Sequence, residues 1–318
     1  MSSPVDGAAP EPGVRGGSGG SGGGSGAPGR GVIHDIGYRH YDGPRLGERY
    51  VQRSLFAESL KGAYGLGRSM RSKVMPMLIL ALICLPALVM VIITSVTGGN
   101  ELPVTYASYP FRMQIIVAIY LAAQAPALVS RDLRFRVVPL YFARPLGRAK
   151  YVQAKLAAMT VALFVLMAVP LTILFVGALL VKISVTDALP DYLKGLAVAA
   201  AYAVVLAMVG VLIAALTPRR GLGVAAVITV LLVLSGVQAT VLGIANEFGE
   251  ETLAGYSGLM SPATLVDGLA SRILDIDSTL GAEPPGTLGL AVFALVTVVL
   301  VAGCYAALLA RYRRVPVS

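Results

Sequence analysis

From Val74 onward the chain alternates long apolar runs with short polar ones. Six runs, at about 74–96, 112–130, 156–181, 193–216, 221–245 and 288–310, each come close to the ~20 apolar residues that carry a helix across a bilayer. The second is the shortest and carries Gln114, Gln124 and Pro126. Pro76, Pro86, Pro126 and Pro170 fall inside runs, where proline kinks a helix. Ahead of the first run, in 49–72, Val51, Leu55, Phe56, Leu60, Ala63 and Tyr64 recur at helical steps. Arg49, Arg53, Glu58, Lys61 and Arg68 lie between them. This pattern predicts an amphipathic helix with a basic polar face, suited to the inner leaflet of a membrane. After the fifth run, 246–287 carries Leu253, Tyr256, Leu259, Leu265, Leu269 and Ile273 at helical steps, interrupted by Gly249, Gly255, Gly258 and Pro262. Two readings of it stand: a helical hairpin re-entering the outer leaflet, which needs protein or a water-filled cavity around it, or an amphipathic helix resting on the outer surface. The predicted fold is all-α and integral to the membrane, with six transmembrane helices.

Composition strengthens this reading. The chain is 56% apolar and 14% charged, and its mean hydropathy is +0.76. A soluble domain carries about a quarter charged residues. Residues 1–30, with GGSGGSGGGSG, cannot bury a core and are expected to form a flexible tail. Residues 31–48 are polar and turn-rich, with Asp42-Gly43-Pro44 as a turn signal. Cys84 and Cys304 both fall inside apolar runs and read as small packing residues. Gly195, Ala199, Gly210 and Ala214 in the fourth run suit close helix packing.

Charge sets the orientation. No cleavable signal peptide precedes the first run, so the N-terminus is expected in the cytosol. Of the 26 Lys and Arg residues, ten then lie in 1–73, seven in 131–155, two at Arg219 and Arg220 and three at the C-terminal end, all on the cytosolic side. The four left outside are Arg112, Lys182, Lys194 and Arg272. This is the positive-inside asymmetry of a multi-pass protein with both termini cytosolic. It also accounts for the net charge of +9 without nucleic acid, for which the chain has no recognisable module.

Much chemistry is missing from the sequence. No P-loop or HExxH string occurs, GxSxG occurs only within the Gly/Ser tract at 16–23, which cannot build the strand-to-helix elbow that motif needs, and no Cys/His cluster has metal spacing. His34 and His40, beside Asp35 and Asp42, fit a packed turn better than a metal site. The centres of the runs lack Asp, Glu, Lys and His, which argues against a proton-driven carrier, a pump or an intramembrane protease. Gln124 and Gln238 are the main polar groups inside runs, facing either a pathway or a neighbouring helix. No catalytic, cofactor-binding or metal-binding residue is expected on this chain.

The segment 131–155, RDLRFRVVPLYFARPLGRAKYVQAK, joins the second run to the third. Five arginines and two lysines face one acid, Asp132, and apolar residues alternate with them. A purely topogenic anchor has no need of that mixture, which suits docking against a cytosolic partner. The string from Leu140 to Arg148, followed by Tyr151 and Lys155, resembles the cytosolic loop signature of permease subunits of type-2 ABC exporters, in which Ala-Arg-Pro is followed by Arg, Tyr and Lys. The layout is similar too: an amphipathic lead-in, six spans and a half-helical outer loop. The string IHDIGYRHYDGPRLG at 33–47 looks like one found in such permeases from high-GC actinobacteria.

The resemblance implies an N-terminal elbow helix within 31–73, a six-span permease domain over 74–314, a cytosolic coupling loop at 131–155 and re-entrant outer helices at 246–287. It implies an exporter in the cytoplasmic membrane, pairing with a second identical or different permease subunit. A separate ATP-binding subunit would hold ATP and Mg and perform the hydrolysis. Arg134, Arg136, Tyr141, Arg144, Pro145, Arg148 and Tyr151 would form the contact with that ATPase, because guanidinium grips carboxylates in a fixed fork. Two alternatives remain. One is a permease of the same fold serving glycan or lipid export or metalloenzyme maturation; the other is a non-transport membrane scaffold.

Overall fold

The computed structural model describes residues 43, 47–67, 69–99, 102–130, 132, 146–217, 219–281 and 283–314. Residues 1–30, Arg134, Arg136, Tyr141, Arg144 and Pro145 lie outside the described residues. Among those described, the regular structure is helical, without strands: α1 (Glu48–Ala63), α2 (Met70–Thr97), α3 (Tyr109–Arg112), α4 (Gln114–Leu128), α5 (Arg148–Leu180), α6 (Val185–Leu216), α7 (Arg220–Glu247), α8 (Glu251–Tyr256), a 3₁₀ turn (Ser257–Met260), α9 (Pro262–Leu274) and α10 (Gly286–Arg313).

Five of these, α2, α5, α6, α7 and α10, are long and apolar enough to cross a membrane. At 28 to 33 residues they measure about 42–50 Å, beyond the ~30 Å hydrocarbon core. The second predicted span differs. Its helix α4 has 15 residues and alone reaches about 23 Å. A break at Met113 separates it from α3, and Pro126 interrupts its last turn. The structure thus supplies five full-length helices and one short inner helix for the six predicted spans.

Helices α5 and α6 form the central hairpin. The chain reverses through Lys182, which takes a left-handed φ of 68°, and the Ser184 hydroxyl caps α6 by accepting the Asp187 amide at 3.3 Å. Both helices bury residues around much of their circumference. Gly195, Ala199, Gly210 and Ala214 are all on the buried side of α6. A Cβ at Gly210 would stand 2.5 Å from a Leu121 methyl of α4, and one at Gly223 of α7 would stand 3.0 Å from the Pro126 ring. Small residues therefore let α6 and α7 close on α4. In lipid, such packing holds helices together where apolar burial gains little.

Outward faces of the long helices are apolar. Leu78, Leu85 and Ile92 on α2, Leu232 and Val233 on α7, and Leu295, Val298 and Val299 on α10 are all exposed. That surface suits lipid or another apolar partner and is compatible with a multi-pass membrane protein.

Helix α1 stops earlier than the 49–72 periodicity predicts. Gly65 and Gly67 take φ of 67° and 78°, a conformation that turns the chain and starts α2 at Met70. Leu55, Ser59 and Ala63 are the buried stripe of α1, with Arg49, Arg53, Glu58 and Lys61 on the exposed side. The 246–287 segment folds back into the bundle. Nine of the 13 residues of α9 are buried, packed against α6, α7 and α10. A helix resting on the outer surface, one of the two expectations, does not describe α9.

Candidate functional site

The starts of α1 and α5 and the ends of α4, α6 and α10 meet at one end of the bundle. Arg148, Lys150, Arg311 and Arg313 make this the basic end. The 133–145 stretch begins and ends here, and both of its flanks are tied down.

On the N-terminal flank, Asp132 is held by two residues of α5. The Lys155 ammonium lies 2.8 Å from Asp132 Oδ2, and the Tyr151 hydroxyl donates to the same oxygen at 2.8 Å. Tyr151 and Lys155 are four residues apart, so one helix face presents both. Lys155 also donates to the Leu128 carbonyl at 3.1 Å. That carbonyl belongs to the last turn of α4, where the helix dipole favours a cation. The Tyr151 ring packs against the Tyr312 ring of α10, with centroids 5.2 Å apart. Beside this cluster, Ser130 donates to the Ala214 carbonyl of α6 at 2.8 Å.

On the C-terminal flank, Glu48 in the first turn of α1 pairs with Lys150. Its other oxygen accepts the Gly147 amide, the residue that caps α5, at 3.2 Å. These contacts, the Lys150 hydrogen bond foremost, hold the Glu48 carboxyl below its ordinary value of 4.5. Arg148 donates to the Arg313 carbonyl of α10 at 3.2 Å. The base of α1 is fixed again at its far end. There the Tyr64 hydroxyl donates to the Ala162 carbonyl of α5 at 2.7 Å, and burial pushes the phenol up to about 12.

Between α1, α4 and α5 lies a polar cavity of about 240 Å³ lined by Glu58, Ser59, Gln124, Asp132 and Lys155. Gln238 lies elsewhere, in a cavity toward the opposite end that it shares with Gln114 and Thr279. Its side-chain nitrogen is buried and has no hydrogen-bond partner. The two glutamines therefore do not share a site.

Of the residues predicted for docking, Arg148 and Tyr151 are described. Tyr151 is fully buried, with its hydroxyl on Asp132. Residues 148–155, predicted as loop, are the first two turns of α5. Glu48, Asp132 and Lys155 emerge as anchors. The sequence signal for Lys155 was the i,i+4 pair Tyr151/Lys155 behind a Gly147 cap, which starts a helix eight residues before the hydropathy does; Glu48 had no local signal. Among the described residues, no group of three or more His, Cys, Asp or Glu is placed to hold a metal ion.

Compared with known proteins, the chain matches no family model and no curated protein.

Proposed function

We propose that this chain is the membrane-spanning permease subunit of an ABC exporter, moving substrate across the cytoplasmic membrane at the expense of ATP hydrolysed by a separate subunit. In this reading α4, with its flanks, is the second of six spans, α1 is the elbow helix on the inner leaflet, and α8 to α9 form the re-entrant outer hairpin. The basic end faces the cytosol, and a second permease subunit completes the pathway.

The observation that supports this best is the anchoring of both flanks of the 133–145 stretch. A loop that couples to a motor must pass force on, not absorb it. Here a push on the stretch reaches α4 and α5 through Lys155 and Asp132, α1 through Glu48 and Gly147, and α10 through Arg148. Helices joined by charge-assisted bonds move together more readily than helices joined by a slack loop. The arginines of the stretch are suited to carboxylates on an ATPase surface.

The test is a reconstituted complex. The chain is expressed with a candidate P-loop ATPase from its source genome, co-purified and placed in vesicles. Arg144→Glu with Arg148→Glu is expected to uncouple the complex, lowering transport while the ATPase retains its own turnover. A complex that transports and hydrolyses normally with both substitutions would remove the coupling role. Failure of any P-loop ATPase to co-purify would favour a scaffold.

A further inference from the structure

Two adjoining cavities lie between α4, α7 and the folded-back outer segment, toward the end opposite the basic one. The first, about 210 Å³, is lined mainly by Ile115, Ile119, Leu206, Leu231 and Leu232. The second, about 580 Å³, is also mostly apolar, with Ala239, Leu242 and Leu280 in its wall, but is the more polar of the two and carries the amides and hydroxyls of Gln114, Ser235, Gln238, Ser261, Thr264 and Thr279. Gln114, Ser235 and Ser261 line both, so the chambers share a wall. Ser235 Oγ and Ser261 Oγ stand 3.4 Å apart across it, linking α7 to the residue before α9.

We infer that these chambers form one binding site for a neutral amphiphile, its alkyl chain in the apolar chamber and a hydroxyl-bearing head in the polar one. In calling that amphiphile cargo the inference rests on the exporter reading; the binding itself does not.

Three observations carry it. Among the described residues lining either chamber, none is charged. A charged head buried there would lack a counter-ion, and burying an unpaired charge is costly. A neutral head meets amides and hydroxyls that donate and accept in turn. Next, Gln238 is 6% exposed, and its amide nitrogen reaches no acceptor. A buried donor without a partner costs about 1–3 kcal/mol, and an acceptor on the ligand head would satisfy it. Finally, the apolar chamber opens sideways. Ile115 and Leu232 in its wall are 71% and 69% exposed, on the same apolar surface that suits lipid. An alkyl chain can enter from that side without crossing water.

The roof of the polar chamber is built for a fixed position. Thr279 and Leu280 line it, and their backbone amides donate to the buried Asp267 carboxylate at 3.2 and 2.8 Å. Asp267 thus spends its charge on the protein and leaves the chamber neutral.

The experiment uses the full chain alone in nanodiscs of zwitterionic lipid. The probe is a dodecyl glucoside with a diazirine in its chain. Saturable labelling of peptides from α4 and α7 is expected, competed by plain dodecyl glucoside about tenfold better than by dodecyl sulfate or dodecyltrimethylammonium, the worth of a hydrogen bond or two. Gln238→Leu is expected to weaken glucoside labelling about tenfold, with Gln238→Asn between it and the parent. Should Gln238→Leu fail to fold, Ala239→Phe, which fills the polar chamber from the α7 wall, serves in its place and is expected to abolish saturation. Labelling that does not saturate, that charged heads compete equally, or that neither variant changes would overturn the site. So would cross-links joining two copies of the chain through these residues, which would assign the groove to a protein interface. No ATPase enters the assay, so loss of the exporter reading leaves its result unchanged.

Discussion

The Lys155 ammonium lies 2.8 Å from the Asp132 carboxylate and 3.1 Å from the Leu128 carbonyl, so a single cation both closes α4 and holds the start of the basic stretch. The two side chains are 8% and 19% exposed, which makes each dependent on the other. Lys155→Met leaves the carboxylate with Tyr151 alone and is expected to lower stability by about 2–3 kcal/mol, somewhat under the cost of breaking a fully buried pair. Adding Asp132→Leu is expected to recover at least half of that loss, because an apolar pair removes the stranded charge. Thermal unfolding of the two variants in detergent reads the difference. Equal stability of parent and Lys155→Met would show that the pair anchors nothing.

A second anchor carries a pH dependence. The contacts from Lys150 and Gly147 favour the charged form of Glu48 and lower its folded-state value below 4.5. A carboxyl depressed in the folded state contributes stability above its unfolded value, and that contribution is lost as pH falls through the folded one. The α1–α5 latch is therefore expected to be intact at pH 7 and to open only below 4.5. Spin labels on the exposed Arg53 and Gln153 positions would report a distance that broadens on acidification. In Glu48→Gln the broadening should already be present at neutral pH and should not change with acid.

Packing around α4 gives a third prediction. A Cβ at Gly210 would meet the Leu121 side chain at 2.5 Å, and Leu121 is itself fully buried. Gly210→Val is expected to cost about 1–3 kcal/mol through overpacking. Leu121→Ala alone is expected to cost about 2–4 kcal/mol through the opposite fault, a cavity. The double variant should be more stable than the sum of the two losses predicts, because the new methyls occupy the vacated space. Strict additivity in unfolding midpoints would mean that the two residues do not touch.

Much of the helical plan was legible in hydropathy. Five of the six predicted runs correspond to long helices, since a run of about twenty apolar residues leaves few other options. What hydropathy missed is the polar carpentry at helix ends. Helix α5 starts at 148, eight residues before the apolar run at 156, because two turns carrying Arg148, Lys150 and Lys155 still form helix once the Gly147 amide is held by Glu48. Helix α1 ends at Ala63, not 72, because two glycines at positive φ follow it, and an apolar periodicity count is blind to them. Glu48 and Lys150 stand 102 positions apart, a distance over which no local pattern in a single sequence speaks. Tyr151, named for the ATPase contact, is buried against Tyr312, which a tyrosine between charges does not reveal until that partner is known. The buried Asp267 was overlooked for a related reason, as its three donors lie 11 to 13 residues away.

That aspartate supports the last prediction. Asp267 accepts from the Ser278 hydroxyl at 2.7 Å, the Thr279 amide at 3.2 Å and the Leu280 amide at 2.8 Å, and it is 2% exposed. It pins the turn after α9 back onto the helix, and with it the roof of the polar chamber. In Asp267→Ala both backbone amides lose their acceptor. Each becomes free to exchange through a local opening that the parent suppresses. Hydrogen exchange at Thr279 and Leu280 is expected to quicken by about tenfold to a hundredfold, corresponding to one or two charge-assisted bonds. Asp267→Asn, which retains an acceptor oxygen without the charge, should fall between. The amides of α6, remote from this turn, act as the internal reference and should not change. If Thr279 and Leu280 exchange no faster in Asp267→Ala than in the parent, the turn is held by its packing alone, and the carboxylate is not its clasp.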